Sequence, residues 1–585
     1  MAASDARTLA RRLSARSDES LAALFAARGI SPAAPWNDAF DAAEQLLDPA
    51  SVSRAITGLT AAEAAALHAA VADGTPVDGP TRDTLTARAL IDDDGTAWDA
   101  TATALRAATP VAASLREPRD PGAASPTAAD SDDAAAERAF TAVASLADVL
   151  QTALTAPLGR IGAGTLGAAD RRRLLDAGAV TDAPTADDLV AIAERAGLLA
   201  SEGRALLVTP RGLAWLHSST IDRWTAVATA LIAQVPPAVR RGGAGWIDTD
   251  AWAGAHPYDP AWPARAEAHR AALERWAVIE TDGTAPAWTS AAAAGGDIDS
   301  STLAALLPPE VDRVYLQNDL TAIAPGSLAP HLDMRLRSMA RRESRAQASS
   351  YRFTADSLAD ALTAGETAET LRTFLEELSL TGLPQPLAYE IERSASRHGA
   401  LRVGPDETGH ARVTSDDDAL LQTIAVDQAL RPLGLVPDPL DPLAPRGGAL
   451  VTRSSPDTAF WMIADARYPV VAVDADGQRR TLDRHRLAAD AEPAPAAVEV
   501  YADLLARLRA AEEGDADAAW LGRELEQAVR ARETIVVAVR LPDGTEREFT
   551  IEATGLGGGR LRGLDRMVDV ERTLPVSSIT RIGPA

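Results

Sequence analysis

A recurring local pattern limits what this 585-residue chain can fold into. At 89–101, 196–210 and 275–290, an Ala/Leu/Arg-rich helical stretch precedes a short apolar run, a glycine turn and a second apolar run. The glycine supplies the positive φ that a tight turn needs. Each pattern predicts helices packed against a β-hairpin. We therefore expect several small helical modules rather than one large sheet.

We interpret helix, helix and hairpin as the plan of a winged helix. The predicted fold class is α+β and multidomain: mainly α winged-helix modules, then a mixed α/β domain, then a small SH3-like β-barrel. Segments rich in Pro, Ala, Ser and Asp without apolar periodicity predict linkers, and alternating short runs behind a helix predict the barrel. The predicted divisions are a winged-helix-like module at 1–108, a disordered linker at 109–137, a winged-helix module at 138–235, a winged-helix-like module at 236–305, a mixed α/β domain at 306–488, a linker at 489–514 and a barrel at 515–585.

Two residue types are missing from the chain, and their absence excludes several chemistries. There is no lysine, so all 57 basic residues are arginine, and there is no cysteine. A GxxxxGK[ST] phosphate loop, Schiff-base chemistry and lysine-dependent nuclease sites are excluded, as are disulfides, zinc ribbons and thiol nucleophiles. The 83 acidic residues give a net charge of −26. Contact with nucleic acid therefore requires a local basic patch.

Neither a secretory signal nor an apolar stretch of membrane-spanning length is present in the sequence. We therefore expect a soluble cytoplasmic protein, with association to the nucleoid left open and no membrane partner.

The strongest candidate for such a patch lies within a predicted helix over 328–347. Apolar residues gather on one side of this helix and arginines on the other. Between 335 and 352, six arginines face one acid, Glu343, which gives a local charge of +5. Guanidinium forks suit phosphate oxygens, so we predict a nucleic-acid-binding face. Its residues are Arg335, Arg337, Arg341, Arg342, Arg345 and Arg352. A solvated face, salt bridges to the abundant acids and docking of an acidic protein remain as alternatives.

Other candidate sites are weaker. The predicted third helix of the second module carries Asp187, Asp188 and Glu194, which phosphates would repel from a DNA groove. The eight histidines show no metal-binding spacing, and the GxGxxG letters at 162–167 lack a preceding strand. We therefore predict no catalytic residues, no metal and no cofactor.

A family resemblance rests on the residues Val314–Pro325, Tyr351–Thr354 and Gly382–Pro384. This block resembles the N-terminal region of XPB-type DNA-repair helicases, and the whole chain looks like the bacterial helicase-associated proteins that contain that region. The tail Arg560–Ile582 is similar to WYL-type barrels, although the Trp-Tyr-Leu signature is absent. The resemblance implies a setting in DNA repair or transcription. The ATPase lobes that drive an XPB helicase are not matched in this chain.

Together these observations predict a non-enzymatic accessory protein of DNA repair or transcription. We expect it to bind DNA weakly through backbone contacts and to dock a partner such as an XPB-type helicase or another repair or transcription protein. The first alternative is a ligand-responsive WYL-type transcription regulator. The second is a carboxylate-metal nuclease.

Overall fold

The computed structural model confirms an α+β chain made of helices and several separate sheets. It describes residues 2–111, 128–162, 164–241, 245–344, 348–438, 448–482, 486–489, 495–513, 516–541, 545–566 and 568–584. Among the helices in these ranges, none combines the length and the apolar character that a membrane crossing requires.

The N-terminal unit is helical. Its helices are α1 (Ala2–Ser14), α2 (Asp18–Ala27), α3 (Ala39–Leu46), α4 (Pro49–Thr57), α5 (Ala61–Asp73), α6 (Gly79–Ala87) and α7 (Asp99–Ala107). Side chains at the starts of α2, α3, α4 and α5 accept free N–H groups; Thr60 and Glu63, for example, form a capping box on α5. The hairpin expected at 89–101 is a single β-bridge between Ile91 and Ala97, closed by a turn at Asp92.

The predicted linker at 109–137 is wrong at its C-terminal end. Residues 112–127 lie outside the described residues, but 128–137 form the start of the long helix α8 (Ala128–Thr155). Ala135 and Ala136 of this stretch are buried. The Ala/Asp composition that suggested a linker is also compatible with a helix, because alanine is the best helix former.

The predicted hairpin at 196–210 is confirmed, and it belongs to a four-stranded antiparallel sheet. After α8 come β1 (Leu158–Ile161), β2 (Thr165–Leu166), α9 (Ala168–Asp176), α10 (Ala183–Arg195), β3 (Leu199–Glu202) and β4 (Ala205–Val208). The strand order is β2-β1-β4-β3. Gly203 takes a φ of 63° in the turn of the hairpin, where a side chain would be strained.

The following segment shares its core with this sheet. It contains α11 (Pro210–His217), α12 (Thr220–Ala233), β5 (Arg240–Arg241), β6 (Gly245–Trp246), α13 (Trp262–Arg275), α14 (Ser290–Ala293) and α15 (Ser300–Leu306). Trp224 and Trp276 are fully buried, and each indole N–H donates to the other residue's carbonyl, at 2.7 and 2.9 Å. The boundary predicted between 235 and 236 therefore does not separate two cores.

The hairpin expected at 275–290 is wrong. A turn joins Glu280 to Thr284, but no strands flank it. Side chains replace the ladder: the Trp288 indole N–H donates to the Ala277 carbonyl and the Thr289 hydroxyl to the Val278 carbonyl. The side chains of Trp288 and Thr289 thus hold the two arms of the loop together in place of a strand ladder.

The domain predicted at 306–488 contains two hydrophobic cores. The first includes β7 (Glu310–Val311), β8 (Tyr315–Leu316), β9 (Thr321–Ala324), β10 (Ser327–Leu328), α16 (Pro330–Met339), β11 (Arg341–Ser344), β12 (Ser349–Arg352), α17 (Ala355–Thr363), α18 (Ala368–Leu378) and α19 (Gln385–Arg397). Its main sheet is antiparallel, in the order β11-β12-β9-β8.

The second core is built around a six-stranded sheet. Its elements are β13 (Leu401–Pro405), β14 (Ala411–Thr414), α20 (Asp418–Val426), β15 (Val436–Pro437), β16 (Ala449–Val451), α21 (Pro456–Asp465), β17 (Val470–Val473) and β18 (Arg479–Arg480). The order is β15-β16-β14-β13-β17-β18, and only β13 and β17 are parallel.

The C-terminal unit contains three helices and a five-stranded antiparallel sheet. They are α22 (Ala497–Val500), α23 (Ala502–Glu513), α24 (Ala516–Ala531), β19 (Thr534–Arg540), β20 (Glu546–Gly557), β21 (Arg560–Asp565), β22 (Val570–Pro575) and β23 (Ile579–Pro584). The order is β22-β21-β20-β19-β23, so the last strand returns to pair with the first. The alternating runs of the sequence predict strands at 534–541, 547–553, 560–564 and 577–582, which are present as β19, β20, β21 and β23; β22 is an addition.

The predicted linker at 489–514 is wrong for residues 497–513. Tyr501, Leu504 and Leu508 are buried in the core of the N-terminal helices, with the Tyr501 ring 5.7 Å from that of Phe25. Leu504 and Leu508 are four residues apart and share one face of α23, and Tyr501 directly precedes this helix. The barrel segment is held there too: Arg11 of α1 pairs with the buried carboxylate of Glu524 on α24.

We predict that Leu504→Ala destabilises the N-terminal helices. The substitution leaves a cavity in their shared core and should lower the free energy of local opening by about 2–5 kcal/mol. Hydrogen exchange measured over α1–α3 checks this. Val500→Ala is the control, because Val500 is 41 % exposed. Equal protection of α1–α3 in both variants would contradict the shared core.

Candidate nucleic-acid interface

The predicted arginine-rich helix is wrong in its second half. Helix α16 ends at Met339, Ala340 has extended φ and ψ of −142° and 148°, and Arg341 begins strand β11. The hydroxyl of Ser357 donates to the Met339 carbonyl at 2.8 Å, which gives this carbonyl at the helix end a hydrogen-bond partner. Pairing of β11 with β12 thus overrides the local helical periodicity.

The six candidate arginines therefore do not share one helical face. Arg335 and Arg337 lie on α16, whereas Arg341 and Arg342 are neighbours on a strand and point to opposite sides of the sheet. Arg345 lies outside the described residues.

Two of these arginines are held by one buried carboxylate. Asp148 of helix α8 is 3 % exposed. Its Oδ1 accepts from Arg337 Nη1 at 2.7 Å, and its Oδ2 accepts from Arg342 Nη2. A buried carboxylate is stable only where such partners compensate for lost hydration. Burial is the largest single influence on Arg342 and lowers its pKa, but the charge and hydrogen bond of Asp148, together with the charge of Asp333, raise the pKa above its ordinary value.

A second acid and a tyrosine extend this arrangement. Asp333 lies 3.6 Å from Arg337 and accepts from the Tyr351 hydroxyl at 2.6 Å. Burial, and after it the charge of Asp333, raises the pKa of Tyr351, so its hydroxyl stays protonated as a donor. We call Asp148, Asp333, Arg337, Arg342 and Tyr351 the Asp148 cluster. The Asp148 cluster joins helix α8 to helix α16 and to the antiparallel sheet β11-β12-β9-β8.

Two further candidate arginines are held by neighbouring side chains. The Arg335 guanidinium lies 4.4 Å from the Phe374 ring centroid, and its Nε donates to Glu366 at 3.0 Å. Arg352 pairs with Glu343 across the β11–β12 ladder, and this partner raises the pKa of Arg352. These contacts match the alternative in which the arginines form salt bridges within the protein.

Arg341 is different. It is exposed and forms no ion pair within the part of the chain that the structure describes. It lies directly opposite Arg352 in the strand register, so the two positive charges face each other. Arg341 is the candidate residue that remains available to a phosphate group.

The acids of α10 are also paired within the protein. Asp187 accepts from Arg171 at 2.9 Å, and Asp188 from Arg275 at 2.6 Å. Glu194 pairs with Arg160. Each acid therefore fixes α10 to a neighbouring element, β1, α9 or α13, which is the behaviour of a scaffold helix.

Sequence reasoning missed Asp148, although a signal was present. Asp148 interrupts an apolar run on α8, between Ala147 and Val149, both of which are buried. An acid at a core position implies a buried partner. Spacing could not identify the partners, which lie almost 200 residues later. Among the described residues, no group of three or more histidines and acids is placed to hold a metal ion.

The comparison with known families matches one segment. Residues 314–437 match the family described as "Helicase conserved C-terminal domain". No curated protein matches the chain. The matched segment includes most of the first core of the 306–488 region and part of the second. This segment of the chain, with the arginine-bearing elements inside it, is thus similar to a helicase-related domain.

We predict that Asp148→Asn separates α8 from α16 and β11. The variant removes the charge that pairs with the half-buried Arg337 and Arg342, which should destabilise the contact by about 1–3 kcal/mol. Hydrogen exchange over residues 330–344 measures this. Asp176→Asn is the matched control, because Asp176 pairs with Arg172 at an exposed site. Unchanged exchange in Asp148→Asn would show that the cluster does not hold the two units together.

Proposed function

We propose that this protein is a non-enzymatic accessory protein of DNA repair or transcription that docks a helicase-type partner and contacts DNA weakly. The observation that carries the proposal is the match of 314–437 to a helicase-related domain in a chain without lysine. A motor needs a lysine in its phosphate loop to reach the nucleotide. The helicase likeness is therefore better explained by association with a motor than by possession of one.

The strand pairing in the matched segment supports this proposal. The described strand pairs that lie wholly within 314–437 are antiparallel: β8 with β9, β9 with β12, β11 with β12, and β13 with β14. Strands β10 and β13 also pair in parallel with β7 and β17, which lie outside the segment. Nucleotide-binding α/β domains instead use parallel strands, each leading through a glycine-rich turn into a helix whose N-terminus holds the phosphates. The pairing here favours a docking or recognition domain.

The finer assignments are part of the proposal. The order helix, two short strands, two helices and hairpin over 128–208 supports a winged helix, and the return of β23 to β19 supports an SH3-like barrel. The resemblance of Val314–Pro325 to XPB-type helicases supports an XPB-type helicase as the partner. The ion pairs of α10 support a scaffold role for the winged helix rather than insertion into a DNA groove.

The DNA contact we propose here is smaller than six arginines would give. Arg335, Arg337, Arg342 and Arg352 are committed to carboxylates, and only Arg341 among the described candidates is without one. Five phosphate contacts to a duplex would give a slope of log K against log[salt] of about −4 to −5; one contact contributes about −0.9. We therefore expect weak binding with a shallow slope from this region.

We predict that Arg341→Glu reduces the magnitude of this salt slope by about 1, because one phosphate contact is lost. Fluorescence anisotropy with a labelled duplex at several salt concentrations measures it. Arg82→Glu makes the same charge change at another exposed arginine, in the N-terminal unit, and should leave the slope unchanged. Identical slopes for both variants would remove this region from the DNA contact.

We also predict that the full-length protein retains a helicase-type partner in a pull-down after nuclease treatment. Direct docking survives nuclease, whereas bridging by nucleic acid does not. Purified protein should show no steady hydrolysis of nucleoside triphosphates. Steady hydrolysis, or loss of every helicase-type protein on nuclease treatment, would contradict the proposed function.

A further inference from the structure

Two arginines in the C-terminal sheet are unlike those of the Asp148 cluster. Arg560 and Arg562 lie two residues apart on β21, and both are exposed. Neither guanidinium forms an ion pair, hydrogen bond or ring contact with any described residue. In a chain with 83 acids, most of the arginines described above are paired, so two adjacent free ones form a distinct surface.

Glycine residues lie opposite both arginines on the neighbouring strand β20. In the register with β20, Arg562 lies opposite Gly555 and Arg560 opposite Gly557. A Cβ added at Gly557 would meet no atom within 4 Å, and the turn glycines Gly558 and Gly559 are equally open. The β20 residues directly opposite the two arginines therefore carry no side chain that could cover the guanidinium groups, and a ligand can approach the backbone closely.

On the opposite side, the strand register places Thr573 beside Arg562 and Pro575 beside Arg560. The nearest acids in the register, Glu552 and Glu571, lie beside Leu564 instead. Glu552 is already paired with Arg566 at 2.5 Å. The charge of Arg560 and Arg562 is therefore not neutralised across the sheet.

We propose that this glycine-flanked arginine strip, formed by Arg560 and Arg562 with Gly555 and Gly557, binds the phosphodiester backbone of a nucleic acid. Alternate residues of a strand point the same way and lie about 7 Å apart, so the two guanidinium groups can each fork onto a different phosphate. The proposal deepens the DNA contact of the proposed function, on which it rests, by naming the surface that makes it.

The surface favours a phosphate backbone over a peptide. Strand β21 lies between β20 and β22, so its backbone groups are paired and a peptide cannot add as a new strand. None of the residues opposite the two arginines on β20 and β22 offers a large apolar side chain, which a protein partner needs as an anchor. No aromatic ring lies opposite them either, so the binding depends on the charge and spacing of the phosphates and not on stacking with bases.

The test measures binding of the purified full-length protein to three labelled probes: a single-stranded oligodeoxythymidylate, a duplex and poly-glutamate. Arg560→Gln/Arg562→Gln should reduce the magnitude of the salt slope by about 1.4 on the single strand or about 1.8 on the duplex. The probe whose salt slope falls in this way shows whether the strip binds single-stranded or duplex DNA.

The matched control is Arg540→Gln/Arg581→Gln. It removes the same charge from the same sheet, at exposed arginines paired with Glu546 and Glu548, and should leave the slope unchanged. A second variant, Gly557→Asp, has room for its side chain and places a carboxylate opposite Arg560. It should weaken nucleic-acid binding without altering the circular dichroism spectrum.

Equal slopes in the test and control pairs would overturn the proposal. Binding of poly-glutamate with the same dependence on Arg560 and Arg562 would overturn the assignment to phosphates. Because these measurements use only purified protein, a failed pull-down of a helicase-type partner does not affect them. Conversely, a successful pull-down with no effect of Arg560 and Arg562 on oligonucleotide binding overturns this inference alone.

Discussion

The arrangement of the middle of this chain depends on one buried carboxylate. Asp148 lies in the apolar face of α8, where an unpaired charge would be strongly unfavourable. Arg337 and Arg342 compensate it, and they come from a helix and a strand of another core. The requirement to pair this charge therefore fixes how the helicase-like segment sits on the central helices.

The same electrostatic logic recurs across an acidic chain with a single type of cation. Arginine offers a planar fork that can bind two carboxylates or stack on a ring while it does so, as Arg335 does between Glu366 and Phe374. An arginine-rich segment in such a protein therefore mainly forms salt bridges within the protein. An arginine that binds an external ligand is better sought where the neighbouring residues leave its guanidinium group exposed and unpaired.

Local rules predicted much of the fold. The hairpin around Gly203 and the alternating strands of the C-terminal sheet depend on neighbours in sequence, so pattern alone located them. Patterns failed where distant contacts decide. The helix expected through Arg341 stops at Met339 because β11 pairs with β12, and 497–513 pack as helices because a core some 470 residues away has room for Tyr501. The prediction of the candidate site was the least accurate, because the acids that pair with its arginines, Asp148 and Glu366, belong to other elements.

The helices α22 and α23 complete the core that α1–α3 begin, and this has a consequence for synthesis. At about 5–20 residues per second, a ribosome needs on the order of a minute to reach residue 508 after making residue 46. Throughout that interval, Phe25 and its apolar neighbours lack their covering helix. The nascent chain must therefore carry an open hydrophobic groove on its first helices while its middle domains emerge and fold.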